Sequence, residues 1–351
     1  MRLPRSRGPL SAEVFAALAR PPHDLRAGLA TALPTGQDPL TDEDLQLTLF
    51  ACYELHYRGW DGVDDRWEWQ PSLLALRAAV EERFEAGLRT LVGPQPPCPP
   101  AGVPGALAAL VAADDGPPLS RYLERRASAA QFREFVTHRS VYHLKEADPH
   151  TFAIPRLDGA AKAALVEIQI DEYGGGQLHR MHAELFRTMM GSQGLDTAYG
   201  AHVDAVPAVT LATNNVMSLF GLHRRHRGAL LGHLAAFEMT SSLPNRRYGN
   251  ALRRLGGSAA ATRFFDEHVE ADAVHEQIAA HDMCGQFCAA EPAATADVLF
   301  GAACALRLDG LFAGHLLARW AAGATSLRAA EYRAEEHRAQ AQRALVGQAA
   351  A

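Results

Sequence analysis

The chain has 351 residues, which is long enough for one large domain or two modest ones with a sizeable core. Its formal net charge is −6, from 34 basic and 40 acidic side chains, and this excludes a general affinity for nucleic acid or for acidic membrane surfaces. The sequence contains no apolar run of about 18 residues, and no apolar segment follows its basic N-terminus, so we expect neither a membrane span nor a signal peptide.

Residues 1–105 are predicted to form an N-terminal helical region. Thr41, followed by acidic residues and then by apolar residues at helical spacing, is typical of a helix start. A second helix is predicted over 71–92, where a proline opens another helical pattern. Residues 93–105 contain six prolines and are predicted to be a linker, because proline interrupts both helices and sheets.

The remainder of the chain is rich in alanine and leucine, which favours helix. We predict a helical domain over 106–325, followed by a surface helix with a frayed tail over 326–351. The fold class is therefore all-α, a helical bundle, and bundles build metal and cofactor sites from inward-pointing side chains on facing helices. The main predicted helices cover approximately residues 119–140, 158–190, 204–240, 258–281 and 293–323.

A first stripe of polar residues lies on the predicted helix 158–190. Glu172, His179 and His182 are separated by seven and three residues, so on an uninterrupted helix they point in similar directions. Asp171 aligns with His182 nearly as well and stays an alternative to Glu172. An exposed charged stripe is the other interpretation, but an apolar run, AALVEIQI, directly precedes these residues.

A second stripe lies on the predicted helix 258–281, where His268, Asp272 and His275 are spaced by four and three residues. Phe265 extends the same stripe toward the core, where an unpaired aspartate would be costly. Two imidazoles and a carboxylate on one side of a helix suit a first-row metal ion. A charged helix surface is the alternative, since this helix also carries several glutamates.

A third candidate, Glu238, ends an apolar stripe on the predicted helix 204–240, which Pro244 is expected to terminate. It is either an acid paired with an arginine or a bridging carboxylate. Cys284 and Cys288 lack a second pair that would complete a zinc site, so we expect free thiols in the reducing cytoplasm. Carboxylates with imidazoles fit iron or manganese. The predicted metal ligands, of which the three carboxylates are also the predicted catalytic residues, are Glu172, His179, His182, Glu238, His268, Asp272 and His275.

This combination resembles the haem-oxygenase-like di-iron oxidases, also called iron-containing redox enzymes. Three motifs carry the resemblance: EYGGGQLHRMH, with Glu-x6-His-x2-His; the lone glutamate in GHLAAFEMTSSLP; and HVEADAVH, with His-x3-Asp-x2-His. The stretch KEADPHTFAIPRLDGAAKAALVEIQIDEYGGG also looks like the segment that leads into the first motif in that family. The resemblance covers residues 140–323 well and the first 100 residues only vaguely.

The resemblance implies a haem-oxygenase-like bundle without haem, with two iron ions that change between Fe(II) and Fe(III). It implies that O2 is activated to oxidise a small molecule, by N-oxygenation, by oxidative decarboxylation or C–C cleavage, or by desaturation of an amino-acid- or fatty-acid-like compound. The alternatives are a single-metal or cofactor-independent enzyme of the same superfamily, and a non-enzymatic iron-binding or ferroxidase protein. An electron donor and a homodimer are left open as further partners.

Three consecutive glycines, Gly174 to Gly176, interrupt the first motif. Each glycine inside a helix costs roughly 1 kcal/mol relative to alanine, so the run calls for an explanation. We expect these glycines to admit substrate or O2 beside the metal ions, or to let the helix bend and place its ligands. A helix break that is unconnected with the chemistry is the alternative.

Overall fold

The computed structural model describes residues 1–26, 28–29 and 36–328, without the side chains of residues 272 and 273. Within these ranges every regular element is a helix and no strand occurs, which confirms the predicted all-α fold class. The predicted C-terminal helix and tail, 326–351, lie outside the described residues from 329 onward.

The N-terminal part contains short helices and one longer helix. The side chain of Asp42 caps α2 by accepting hydrogen bonds from the backbone N–H groups of Asp44 and Leu45, so this helix begins later than the predicted cap at Thr41. The helix predicted over 71–92 is confirmed as α3. The helices of this part are α1 (Pro9–Leu18), α2 (Glu43–Glu54), α3 (Pro71–Val92), α4 (Val103–Ala112) and α5 (Leu119–Arg125).

The C-terminal part contains the longer helices of the bundle. A π-helical stretch, Ile278–Gly285, directly continues α12. The helices of this part are α6 (Ala129–His143), α7 (Asp148–Thr151), α8 (Gly159–Glu172), α9 (His182–Ser192), α10 (Ala208–Leu222), α11 (Arg227–Arg254), α12 (Ala259–Gln277), α13 (Gln286–Ala290) and α14 (Thr295–Ala321).

The prediction of one continuous helix over 158–190 is wrong. Helix α8 ends at Glu172 and α9 begins at His182. Between them, Gly174, Gly175 and Gly176 have φ angles of 62°, 59° and 77°, in the left-handed region. Glycine populates this region without the steric cost that a Cβ imposes, so the glycine run forms a turn that interrupts the helix instead of continuing it.

Two further helix predictions need correction. The predicted helix 119–140 is divided into α5 and α6, and a capping box between Ser128 and Gln131 starts the second of them. The predicted helix 204–240 is divided into α10 and α11, and Pro244 lies inside α11 instead of ending it. A proline inside a helix costs about 3 kcal/mol, so the packing of α11 against its neighbours must outweigh that preference.

Helix α11 lies at the centre of the bundle and packs against α5, α12 and α14. At its crossing with α14 the backbones are in contact, because a Cβ on Gly232 would overlap the carbonyl oxygen of Val298, and a Cβ on Gly301 that of Ala229. The N-terminal helices share a core with the later ones, since α2 packs against α10. None of the described helices combines the length and the apolar character needed to cross a bilayer.

Candidate metal centre

The glycine turn between α8 and α9 places two of the predicted ligands side by side. Glu172 is the last residue of α8, His182 is the first residue of α9, and both are buried. A Cβ on Gly174 would lie 2.5 Å from the carbonyl carbon of Arg180 and 2.6 Å from the backbone nitrogen of Met181, so the turn closes tightly only with glycine there. The result is a separation of 3.0 Å between His182 Nδ1 and Glu172 Oε2.

Four buried side chains form a first group of donor atoms: Glu146, Glu172, His182 and His268. One donor atom from each of them lies within 4.8 Å of all the others. His268 on α12 is fixed by a hydrogen bond of 2.8 Å between its Nδ1 and the carbonyl oxygen of Phe264. Because Nδ1 is engaged there, Nε2 faces the group, 3.6 Å from Glu146 Oε1.

A second group shares Glu172 with the first and adds Glu238 from α11 and His275 from α12. His275 Nδ1 lies 3.3 Å from Glu238 Oε2, inside the group. The other ring nitrogen, Nε2, donates a hydrogen bond of 3.0 Å to Asp171 Oδ2. Asp171 is 59% exposed and contacts His275 from outside, so Glu172, and not Asp171, is the carboxylate whose atoms converge with the others.

Several donor atoms of both groups are buried without a hydrogen-bond partner: Glu146 Oε2, Glu172 Oε2, His182 Nδ1 and His275 Nδ1. His182 Nδ1 and Glu172 Oε2 are close enough for a hydrogen bond but are not oriented for one. An unpaired buried polar atom costs about 1–3 kcal/mol, so a cluster of such atoms is unfavourable unless something else binds them. Carboxylate oxygens and imidazole nitrogens are suitable ligands for iron, and the residues present therefore fit this metal.

Opposite charges inside the cluster shift its protonation equilibria. Burial alone would raise the pKa of Glu172, but the adjacent His182 outweighs burial and lowers it. Burial alone would lower the pKa of His275, but the adjacent negative charge of Glu238, together with the hydrogen bond to Asp171, raises it to about 9. Without a metal ion the imidazolium charges therefore compensate the carboxylates, and a bound cation would take over that role while protons are released.

Glu146 is the member of the cluster that the sequence prediction missed. It lies in the turn between α6 and α7, where helical spacing gives no information about direction. The neighbouring Ala147 has a φ of 71°, an uncommon conformation for a residue with a Cβ, which often marks functional sites. His143 Nδ1 donates a hydrogen bond of 2.6 Å to Glu146 Oε1 and fixes its orientation. The one signal in the sequence that could have identified Glu146 is its position in the stretch that looks like the lead-in segment of the family.

Two predicted ligands, His179 and Asp272, are not among the residues of the two donor groups that the structure describes. His179 is exposed on the short 3-10 turn Leu178–Arg180 and belongs to neither group, because the helix assumed for its alignment is broken by the glycines. Asp272 lies in α12 between the two histidines of that helix, but its side chain is outside the described residues, so its role stays a prediction.

A cavity of about 570 Å³ adjoins the cluster and is lined by Glu146, Glu172, Glu238 and His268. Aromatic side chains contribute to its wall, namely Phe135, Tyr142, Phe186, Phe237 and Phe265. The cavity also reaches a polar wall that includes Ser120, Arg139, Arg247, Tyr248 and Asp309. A pocket of this size that combines apolar, aromatic and polar lining residues is typical of small-molecule binding.

A family model described as iron-containing redox enzyme matches residues 133–310, which is more than half of the chain. The chain belongs to the iron-containing redox enzyme family. The helical bundle of this chain is accordingly haem-oxygenase-like. All the residues of both donor groups lie inside the matched segment.

The chain is also similar to nitrosourea synthase of Streptomyces achromogenes subsp. streptozoticus. The two are 30% identical over 142 residues. The match covers 39% of this chain and 29% of the synthase, so the chain spans less than a third of the length of that relative.

Proposed function

We propose that the protein is a non-haem di-iron oxidase that activates O2 to oxidise a small-molecule substrate. The observation that supports this most directly is Glu172, whose carboxylate belongs to both groups of converging donor atoms. A carboxylate can bridge two cations, and two-metal sites hold their ions about 3.5–4 Å apart. Two donor groups that share one carboxylate therefore suit a pair of ions better than a single one.

One ion would be held by Glu146, Glu172, His182 and His268, and the other by Glu172, Glu238 and His275. Asp272 remains a proposed further ligand. Bound iron would supply the electrons needed to reduce O2, chemistry that amino-acid side chains lack. Manganese fits the same donor set, but the family favours iron.

The protein's own residues would position the ligands and shape the reaction space. His143 orients Glu146, and Asp171 orients His275. The aromatic wall of the cavity excludes water from the space beside the cluster, which limits unproductive side reactions. The substrate would enter this cavity and place its oxidised group next to Glu172 and Glu238.

Anaerobic titration with Fe(II) tests the metal assignment. We expect the wild-type chain to bind two Fe(II) ions. Glu172→Ala should lower binding of both, because it removes the shared ligand, whereas Glu238→Ala should lower binding of one. Glu167→Ala is the matched control, since this glutamate is exposed on the same helix as Glu172. An O2 pulse on the loaded protein should then produce a transient visible absorption band.

The alternatives give different results in the same measurements. One bound Fe(II) in the wild type would favour a single-metal enzyme, and unchanged iron content in Glu172→Ala would contradict the proposed centre. O2 consumption that is independent of any organic compound would favour a ferroxidase. Because one relative is named for a nitrosourea, amines and guanidines are the first compounds to test for substrate-dependent O2 consumption.

A further inference from the structure

A buried amide side chain connects α8 to the turn that carries Glu146. Gln169 lies on α8, three residues before Glu172, and its side chain is buried. Its Nε2 donates a hydrogen bond of 3.0 Å to the carbonyl oxygen of Ala147 and one of 2.5 Å to Thr151 Oγ1. Because a carbonyl oxygen can only accept, the nitrogen of the amide, and not its oxygen, must face Ala147. The connection joins the two segments whose carboxylates belong to the same donor group.

A second side chain of α8 makes a parallel connection. Tyr173 follows Gln169 by four residues, so the two lie on the same face of the helix. The hydroxyl of Tyr173 donates a hydrogen bond of 2.8 Å to Asp148 Oδ1 and lies 3.0 Å from Thr151 Oγ1. The two side chains therefore connect α8 to α7 from positions on either side of Glu172 in the sequence.

The bond from Gln169 reaches the turn where its backbone is least favourable. Ala147 has a φ of 71°, and a residue with a Cβ keeps such a conformation only where surrounding contacts hold it. The carbonyl oxygen of Ala147 also accepts bonds of 3.1 Å from the backbone N–H groups of His150 and Thr151. These two bonds are local, whereas the bond from Gln169 comes from another helix. It fixes the direction of the turn relative to α8, and with it the position of Glu146.

The amide of Gln169 is satisfied only on the side that faces the turn. Its Oε1 is buried and has no hydrogen-bond partner among the described residues. An unpaired buried acceptor is unfavourable, so the stability of the side chain itself does not account for a glutamine at this position. The connection between α8 and the turn does account for it.

We propose that Gln169 is a positioning residue, which sets the separation between the carboxylates of Glu146 and Glu172 by holding the conformation of Ala147. Gln169 is not one of the converging donors, so it acts on a bound ion only through these two ligands. The inference rests on the proposed function for the ion that the ligands bind. The contact between α8 and the turn does not require a metal ion and is measured without one.

Gln169→Met tests the proposal, because it keeps the length of the side chain and removes both N–H donors. Hydrogen–deuterium exchange is measured on the full chain after treatment with a chelator. We expect residues 144–152 to exchange roughly 10-fold faster than in the wild type, because the acceptor of the His150 and Thr151 amides is no longer fixed. In anaerobic Fe(II) titration, the ion of the group that contains Glu146 should bind about 10- to 100-fold more weakly. The ion beside Glu238 should keep its affinity.

A milder variant tests the parallel connection. Tyr173→Phe removes only the hydroxyl group, so we expect faster exchange of residues 144–152 and weaker Fe(II) binding, both by smaller factors than in Gln169→Met. This variant carries the test if Gln169→Met does not fold. Unchanged exchange and unchanged Fe(II) affinity in Tyr173→Phe would show that this connection does not hold the turn.

A second substitution distinguishes the proposed role from a general loss of packing. Ala147→Gly removes the Cβ that makes the backbone conformation unfavourable, so the turn then depends less on support from α8. The loss of Fe(II) affinity caused by Gln169→Met should therefore be several-fold smaller in the Ala147→Gly background than in the wild type. An undiminished loss in that background would overturn the assignment.

Gln46→Met is the matched control. Gln46 is buried on α2 and its Nε2 donates a hydrogen bond of 2.7 Å to the carbonyl oxygen of Pro39, but it belongs to neither donor group and does not line the cavity. It should leave the exchange of residues 144–152 and Fe(II) binding unchanged. Unchanged exchange or Fe(II) affinity in Gln169→Met, or the same losses in Gln46→Met, would overturn the assignment. Failure of the wild type to bind Fe(II) would overturn the di-iron proposal alone, because exchange is measured without metal.

Discussion

At the scale of single residues, Asp171 influences the centre without being one of the converging donors. It accepts a hydrogen bond from Nε2 of His275, while Nδ1 of the same ring faces Glu238. A carboxylate can only accept here, so Asp171 keeps the proton on Nε2 and leaves Nδ1 available to a metal ion. The sequence offered Asp171 as an alternative to Glu172, and the structure gives it this different position.

We predict that Asp171→Asn weakens metal binding by His275 and Glu238 about 10- to 100-fold, because the ring loses the partner that fixes its tautomer. Binding by the group around Glu146 should remain. Titration with Fe(II) under anaerobic conditions would show one weakened and one normal binding event. Glu167→Gln, which neutralises another exposed acid of α8, is the control and should bind as the wild type does. Two unchanged binding events in Asp171→Asn would show that Asp171 does not orient His275.

At the scale of elements, the break between α8 and α9 determines how Glu172 and His182 are placed relative to each other. Gly174 has a φ of 62° and almost touches the backbone of the following turn. This tight turn places His182 beside Glu172, although ten positions separate them along the chain. The glycines therefore bend the chain to place its ligands, which was one of the two roles expected from the sequence.

We predict that Gly174→Ala destabilises the protein by about 1–3 kcal/mol and lowers Fe(II) binding, because a Cβ in this conformation is strained and meets the Arg180–Met181 backbone. Chemical denaturation and Fe(II) titration measure the two effects. Gly105→Ala is the control, since a Cβ there meets no atom of the described structure within 4 Å. Normal Fe(II) affinity in Gly174→Ala would mean that the turn does not determine the position of His182.

The helices were predictable from the sequence where caps and breakers agree with apolar periodicity, as in α3. The ends of the helices were not predictable where glycine, a short turn or tertiary packing determines whether a helix stops or continues, as at Gly174 to Gly176 and at Pro244. Glu172, His182, Glu238, His268 and His275 were singled out from their positions, and their atoms converge. Glu146 was not predicted because a turn has no periodic pattern, and the alignment expected for His179 does not hold because it assumed an unbroken helix.

At the scale of the whole molecule, a buried ion pair connects the N-terminal helices to the proposed centre. Lys145 Nζ lies 3.0 Å from Glu54 Oε2, and both side chains are almost fully buried. The hydroxyl of Tyr199 donates a hydrogen bond of 2.6 Å to the other oxygen of Glu54. Glu54 belongs to α2, and Lys145 directly precedes Glu146, so a helix distant in sequence supports the turn that carries a proposed ligand.

We predict that Glu54→Gln weakens Fe(II) binding by the group that contains Glu146 and spares the group that contains Glu238. The substitution leaves the charge of Lys145 buried and unpaired, which costs about 3–5 kcal/mol and displaces the turn. Fe(II) titration combined with a thermal melt measures this.

Glu134→Gln controls for a general loss of stability, because Glu134 is buried and hydrogen-bonded to Trp320 and Ser326, away from this turn. Equal loss of both Fe(II) ions in Glu54→Gln, or the same loss in Glu134→Gln, would contradict a specific role of Glu54.

The crossing of α11 and α14 has a consequence for the proposed centre, although neither Gly232 nor Gly301 lines the cavity. The two backbones are in direct contact there, so α11 cannot lie closer to α14. Any larger residue at either glycine would push the two helices apart. Glu238 follows on the same helix, six residues or somewhat less than two turns beyond Gly232. The distance between the carboxylate of Glu238 and that of Glu172 therefore depends on the contact between α11 and α14, which is possible only because Gly232 and Gly301 have no side chain.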